Sequence, residues 1–519
     1  NVAREEASSG LLLNEVAGIG GASFFVEIAR CPCPDPLPDN ILPLEGYEIH
    51  TSRGESFVLT DQALIAGGML ALTAEELGWE NLQQGDRLFL WAPGGEDLLD
   101  AAVLRQRTRA RFPDGDRWYI ATSISPGEAN QVALESAVVI NEIMYHHRPT
   151  YEGETPGAVF SENPEEWVEV TNRSEAAVDL TGWSLESGIR FDFPDGTMLA
   201  PGNYLVVARD AAALAEKYPD ITILGDFGGS LGDSGDDILV IDALGNPADG
   251  VTYVDGGAWP GNADAGGSSL ELRHPASDNS VAGSWAASDE SRHSVWKEYS
   301  YVGTAENPPG TSFPTQWDEF LVGMLASGEC LLDDFSVIED PNGESMEMIR
   351  NREFSETLFG GDGTQNWRFL GNHGSHGKTV VEPDPDDASN TILHLVSTGP
   401  TEHMHNHLET TLSGGQSVER GKEYAISFRA KWLSGSPLLH TRLYFNYLAK
   451  KTILAQPTAH GTPGEQNSTY SEDLGPVYSG LTHSPAVAKD DEPMSIRVNA
   501  SDVDGIASLK VLWRTDSGE

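Results

Sequence analysis

Val139-Ile140-Asn141-Glu142-Ile143, followed by Trp167-Val168-Glu169-Val170, is the stretch on which the fold turns. The second piece alternates, so a strand places Trp167 and Glu169 on one face and Val168 and Val170 on the other. Both pieces have earlier counterparts, Leu12-Leu13-Asn14-Glu15-Val16 and Phe25-Val26-Glu27-Ile28. Working outward, the correspondence keeps its order. Gly46-Tyr47-Glu48-Ile49 matches Gly182-Trp183-Ser184-Leu185, residues 64–72 match 198–206, and 85–90 match 235–240. Residues 11–130 thus repeat within 136–285 with loops of different length, as expected of two copies of one domain.

Strand-like pieces recur between turn signals such as Pro194-Asp195-Gly196, Pro201-Gly202 and Leu244-Gly245-Asn246-Pro247. One short helix follows the fourth matched piece of each copy. Thr73 and Glu76 have capping-box spacing, and Asp210 is placed to cap a helix over 211–218. Short strands at this spacing predict antiparallel sandwiches, so the fold class is all-β, a string of β-sandwich domains.

The chain has 519 residues and a net charge of −48, which disfavours nucleic acid as a partner. Glycine (55) and proline (30) make up about a sixth of it, suiting many strands joined by turns. No apolar run is long enough to span a membrane. The three cysteines are Cys31, Cys33 and Cys330. The first two are too close for a relaxed disulfide, and no second pair completes a zinc site. The chain begins at Asn1 and ends in strand-like sequence, so it reads as a piece of a longer protein. Gly232-Asp233-Ser234-Gly235 resembles a serine-protease loop, but it lies at a hairpin approach without His and Asp partners in suitable context.

The second copy resembles a bacterial lamin-tail domain, an immunoglobulin-like sandwich. The resemblance rests on 139–143, on Glu166-Trp167-Val168-Glu169-Val170-Thr171-Asn172, on Leu180-Thr181-Gly182-Trp183-Ser184-Leu185, on the hairpin from Gly235 to Tyr253, and on Trp259-Pro260. The first copy is a diverged member, with Phe25 at the Trp167 position. The resemblance implies interaction and placement in extracellular bacterial proteins, without catalysis.

Trp317 to Pro457 is similar to a jelly-roll carbohydrate-binding module, with Glu329-Cys330-Leu331-Leu332-Asp333-Asp334-Phe335 as the Leu-Asp-Asp strand and Asn351-Arg352-Glu353-Phe354 as the Asn-x-x-Phe strand. Their order is inverted relative to such modules, as in a circular permutation. Trp367, Trp432, Tyr444 and Tyr447 are candidate sugar platforms, with core packing as the alternative role. Six of the fourteen histidines lie between 373 and 407. His403, His405 and His407 share one face of a strand, and with Asp333 and Asp334 they are the candidate metal ligands; a polar strand face is the alternative. Calcium is the cofactor this acidity would admit.

The expected domains are a diverged lamin-tail-like sandwich over 1–130, a second over 131–302, a linker over 303–316, the jelly roll over 317–457, a linker over 458–470, and a partial immunoglobulin- or fibronectin-like domain over 471–519. This order resembles large secreted bacterial proteins that often carry CotH-like kinase domains elsewhere. The expected function is a non-enzymatic, extracellular or cell-surface protein with a structural or adhesive role, possible self-assembly into an oligomer or filament, and cell-envelope or extracellular glycan as a partner. The alternative is a carbohydrate-binding region of a larger secreted enzyme.

Overall fold

A computed structural model describes residues 10–19, 24–30, 41–151, 160–306, 317–356, 366–369, 380–398, 408–444, 447–485 and 493–512. The chain divides into two compact units, 1–136 with 241–248, and 137–240 with 249–519. The regular structure is almost entirely strand, as expected.

In the first unit, one sheet runs Arg117–Ile120, Arg109–Phe112, Leu11–Val16, Phe25–Arg30, Met69–Thr73. Its partner runs Ser56–Val58, Glu48–Thr51, Arg87–Trp91, Leu98–Val103. Leu13, Val26, Ile28, Ile49, Leu88 and Leu90 form one fully buried cluster between them.

The second copy repeats this order. Its first sheet runs Trp285–Ala287, Leu270–Leu272, Val138–Met144, Trp167–Asn172, Tyr204–Ala208, with Ile223–Gly225 added in parallel at the edge. Ile189–Asp192, Ser184–Ser187, Gly235–Ile241 and Pro247–Val254 are consecutive in the other sheet. The two copies share even an irregularity. Pairing shifts between Leu13 and Glu15, and again between Ile140 and Glu142. Asn14 and Asn141 are the inserted residues, and each bulge turns the glutamate after it toward the glutamate of the neighbouring strand. Thr73 and Glu76 form the expected capping box, and Asp210 caps Ala211–Lys217 by accepting from the Ala213 amide.

The jelly roll begins earlier than the sequence suggested. Lys297–Thr304 pairs along its whole length with Glu423–Gly435, and Ala305 is fully buried in the core. The linker expected from 303 therefore cannot start there; residues 307–316 lie outside the described residues. Glu423–Gly435 continues to Gly328–Glu339, Asp387–Ser397 and Val380–Asp384. The facing sheet runs Trp367–Phe369, Leu408–Thr411, Glu319–Met324, Leu438–Leu443, Leu448–Ile453. In the tail, Val477–Ser484 pairs with Ser495–Ser501, while residues 508–512 form no strand.

Candidate functional site

The aromatic residues expected to stack on sugar are mostly interior, which corrects that expectation. Trp432 is fully buried and its Nε1 donates to the Gly435 carbonyl at 3.1 Å. Trp367 is 5% exposed, donates to the Asn351 carbonyl, and packs 5.4 Å from Phe335 and 5.3 Å from Phe354. Tyr447 is buried in the same core. Tyr444 is half-buried, with its ring 4.1 Å from that of Trp317. The physical reason is filling: two sheets closing on one another need large apolar volume, and these rings supply it. His403, His405 and His407 lie outside the described residues, as do Cys31 and Cys33. Cys330 is a free, buried thiol.

Asp333 and Asp334 do come together with other polar groups. The pairing of Gly328–Glu339 with Glu423–Gly435 is broken between Asp333 and Ser336, and Asp334 sits at φ 52°. They line a cleft of about 500 Å³ with Trp296, Glu353, Asp384, Asp386, Asp387, Ser389, Asn390 and Arg429. Asn390 Nδ2 donates to Asp333 at 2.9 Å and to Asp384 at 3.3 Å. The Arg429 guanidinium lies 3.5 Å from Asp334 and 4.7 Å from the Trp296 ring centre. Lys431 Nζ meets Asp386 at 2.7 Å. Burial raises the Asp333 pKa. Calcium would need several free oxygens converging on one point. Here Asn390 holds Asp333 and Asp384, Arg429 lies beside Asp334 and Lys431 holds Asp386, and among the described residues no three His, Cys, Asp or Glu side chains are grouped to hold an ion. The cleft offers carboxylate acceptors, a guanidinium and one aromatic edge.

A second polar centre escaped the sequence. Glu142, Glu169 and Glu271 are fully buried on the first sheet of the second copy, and Glu290 is 1% exposed beside them. What covers them is the stretch read as the 458–470 linker, a correction. The Thr462 amide donates to Glu142 Oε1 at 2.8 Å, and its hydroxyl bonds Glu142 and Glu271. The Gly461 amide donates to Glu290 at 2.9 Å and the Gly464 amide to Glu169 at 2.5 Å. Ser468 and Thr469 direct amides and hydroxyls at Glu271. Burial, above all, pushes Glu169 up to about 8 and Glu290 up to about 7, and raises Glu142 well above the usual carboxylate range. His460 is fully buried between the Arg148 Nε, 3.0 Å from its Nε2, and Glu290, 3.5 Å from its Nδ1. Burial pushes its pKa down to about 3, so the ring is neutral at ordinary pH.

No curated protein matches the chain. A crystal structure of a DUF4876 family protein from Bacteroides thetaiotaomicron has 11% identity and a TM-score of 0.18; the match covers 42% of this chain and 76% of that one. The model of the Lamin Tail Domain family matches residues 131–255, which hold the second copy's Asn141, Glu142 and Glu169, so this stretch is similar to a lamin-tail, immunoglobulin-like domain.

Proposed function

We propose that the chain is a non-enzymatic, modular protein of the cell surface or extracellular space, with a structural and adhesive role. The observation that supports this is how the second sandwich and the jelly roll interlock. Asn262 Nδ2 donates to Ser434 Oγ at 2.9 Å, and the Gly435 amide donates to the Gly266 carbonyl at 2.7 Å. The jelly roll is entered a few residues after the helical turn Glu290–Arg292, and the chain leaving it returns to bond Glu142, Glu169 and Glu271. Both ends of the jelly roll are thereby fixed to the neighbouring sandwich, which joins the two into one unit. The net charge of −48 suits a salty exterior, where it is screened. Sandwich edges offer pairing surfaces for further copies. The test is the native mass of the protein from its source, together with co-sedimentation with cell envelopes. A large assembly or envelope binding is expected; a monomer that stays in the supernatant would end the structural proposal.

One observation favours a second proposal, glycan binding. Trp296, with Arg429 against its ring, and the surrounding carboxylates offer an aromatic edge and hydrogen-bonding groups to a sugar. Binding on a glycan array, lost in Trp296→Ala and kept in Tyr444→Phe, is the expected pattern. An array silent for the wild-type chain would remove it.

A further inference from the structure

The segment covering the second sheet has a twin. Ser125-Pro126-Gly127-Glu128-Ala129-Asn130 and Thr462-Pro463-Gly464-Glu465-Gln466-Asn467 differ only at their first and fifth positions. They make corresponding bonds to the matched strands, although Thr462 also reaches Glu271. The Ser125 amide and hydroxyl donate to Glu15, at 3.1 and 3.0 Å to Oε2; those of Thr462 donate to Glu142. The Gly127 amide donates to Glu27 Oε2 at 2.6 Å, as Gly464 does to Glu169. Asn130 Nδ2 donates to the Asn14 carbonyl at 3.3 Å, and Asn467 Nδ2 to the Asn141 carbonyl at 3.0 Å. The bulged asparagines complete both sites, Asn14 donating to Glu27 at 2.9 Å and Asn141 to Glu169 at 2.8 Å. Glu128, Ala129, Glu465 and Gln466 are exposed, so the bonds described read the hydroxyl residue, the glycine and the asparagine.

The two segments reach their sheets differently. Ser125 follows the last strand of its own sandwich, Arg117–Ile120, within a few residues. Thr462 lies 320 positions from the Glu142 it bonds, with the whole jelly roll between the last sandwich strand, Trp285–Ala287, and the segment. The same bonds at both sites therefore follow from the hexapeptide and the sheet, not from one connecting path.

We propose that the bulged Asn-Glu strand and its neighbouring glutamate form a peptide-recognition site for Ser/Thr-Pro-Gly-x-x-Asn, filled in this chain by its own two segments, and that the jelly roll is an insertion within the second sandwich, ahead of the segment that closes it. The chemistry of recognition is direct. Two carboxylates accept two backbone amides and a hydroxyl, proline fixes the approach, and glycine takes a left-handed turn, at φ +81° in one copy and +83° in the other. An asparagine amide then closes the end on backbone carbonyls. The proposal is independent of the surface role above, because it concerns only how the sandwiches close.

The test uses the full chain carrying Gly464→Val, whose side chain would stand 2.6 Å from Ile221 Cγ2 and keep the native segment from seating. A fluorescent peptide of residues 457–471 is the probe. Saturable binding to the variant and none to the wild type is expected, with affinity falling by roughly tenfold or more when the peptide carries Thr462→Val and Asn467→Ala. Binding to neither chain, or equally to both, overturns the proposal. If the variant does not fold, hydrogen exchange on the wild-type chain decides. The amides of 461, 462, 464, 468 and 469 should exchange at least about tenfold more slowly than those of exposed residues 506–509. Equal rates overturn it.

Discussion

The two closing segments, Ser125–Asn130 and Thr462–Asn467, make corresponding bonds in different surroundings. A Cβ on Gly127 would meet nothing within 4 Å, whereas one on Gly464 would press into Ile221. Before the hydroxyl residue, the first copy has Ile124, 52% exposed, and the second has Gly461, against Glu142, Ser269 and Trp167. Opposite Glu15 stands Ala110, while opposite Glu142 stands a third glutamate, Glu271. Both pairs of carboxylates are buried, but Pro126 and Gly127 of the first segment are exposed where Pro463 of the second is buried. The difference shows how much of a segment's energetic weight comes from what lies behind it, not from its own hydrogen bonds.

The largest contrast should come from the glycines. Gly464→Val combines left-handed backbone strain with a clash and should cost about 4 kcal/mol, whereas Gly127→Val should cost only the backbone term, about 1–2 kcal/mol. Urea unfolding of each variant measures this, and equal losses would mean that Ile221 yields and the second site is no tighter than the first. Next come the hydroxyls. Thr462→Val loses bonds to two carboxylates and should cost about 2 kcal/mol; Ser125→Ala loses bonds to one and should cost about 1 kcal/mol. Two calorimetric melts decide between them.

The pH dependence should also separate the copies. Burial pushes Glu15 up to about 7 and Glu169 up to about 8. Both lie above the value of an exposed glutamate, so the fold favours the neutral acid. The stability from this source is complete below about 4.5 and is lost as pH rises, through about 7 for the first site and about 8 for the second. Unfolding midpoints should fall from pH 5 to about 8, with Glu15→Gln reducing the slope below about 7 and Glu169→Gln reducing it over the whole range. Midpoints that rise over this range would mean the carboxylates are ionised in the fold, held so by their donors. The smallest effects belong to the outward positions. Glu128→Ala and Glu465→Ala should each stay within about 0.5 kcal/mol, although Glu465 lies 3.3 Å from Arg292, because that pair is largely exposed. A larger loss at either would add a fourth read position to the site.

Much of this fold was legible beforehand because its signals are local. Alternation in Trp167–Val170, the capping box at Thr73 and the ordered repeat each depend on residues close in sequence, and each is present. The jelly-roll strands at 328–339 and 423–435 were legible for the same reason. The roles of Trp432 and Trp367 were not, since an aromatic on a strand can face either a ligand or the opposite sheet, and only closure of the sandwich selects.

Thr462-Pro463-Gly464 shows the limit most clearly. Its hexapeptide echo of Ser125–Asn130 was there in the residues, yet by composition it reads as a linker, because proline and glycine are as frequent in a solvated tether as in a turn that presents its amides. The sequence by itself determined the all-β class, the doubled sandwich, the helix caps and the acidic character, all of which follow from residue type and short spacing. Only the tertiary structure decided that Glu142, Glu169 and Glu271 are buried, what covers them, and that a chain leaving the jelly roll completes the sandwich that precedes it. A buried carboxylate needs donors, and nothing near it in the chain says where they will come from.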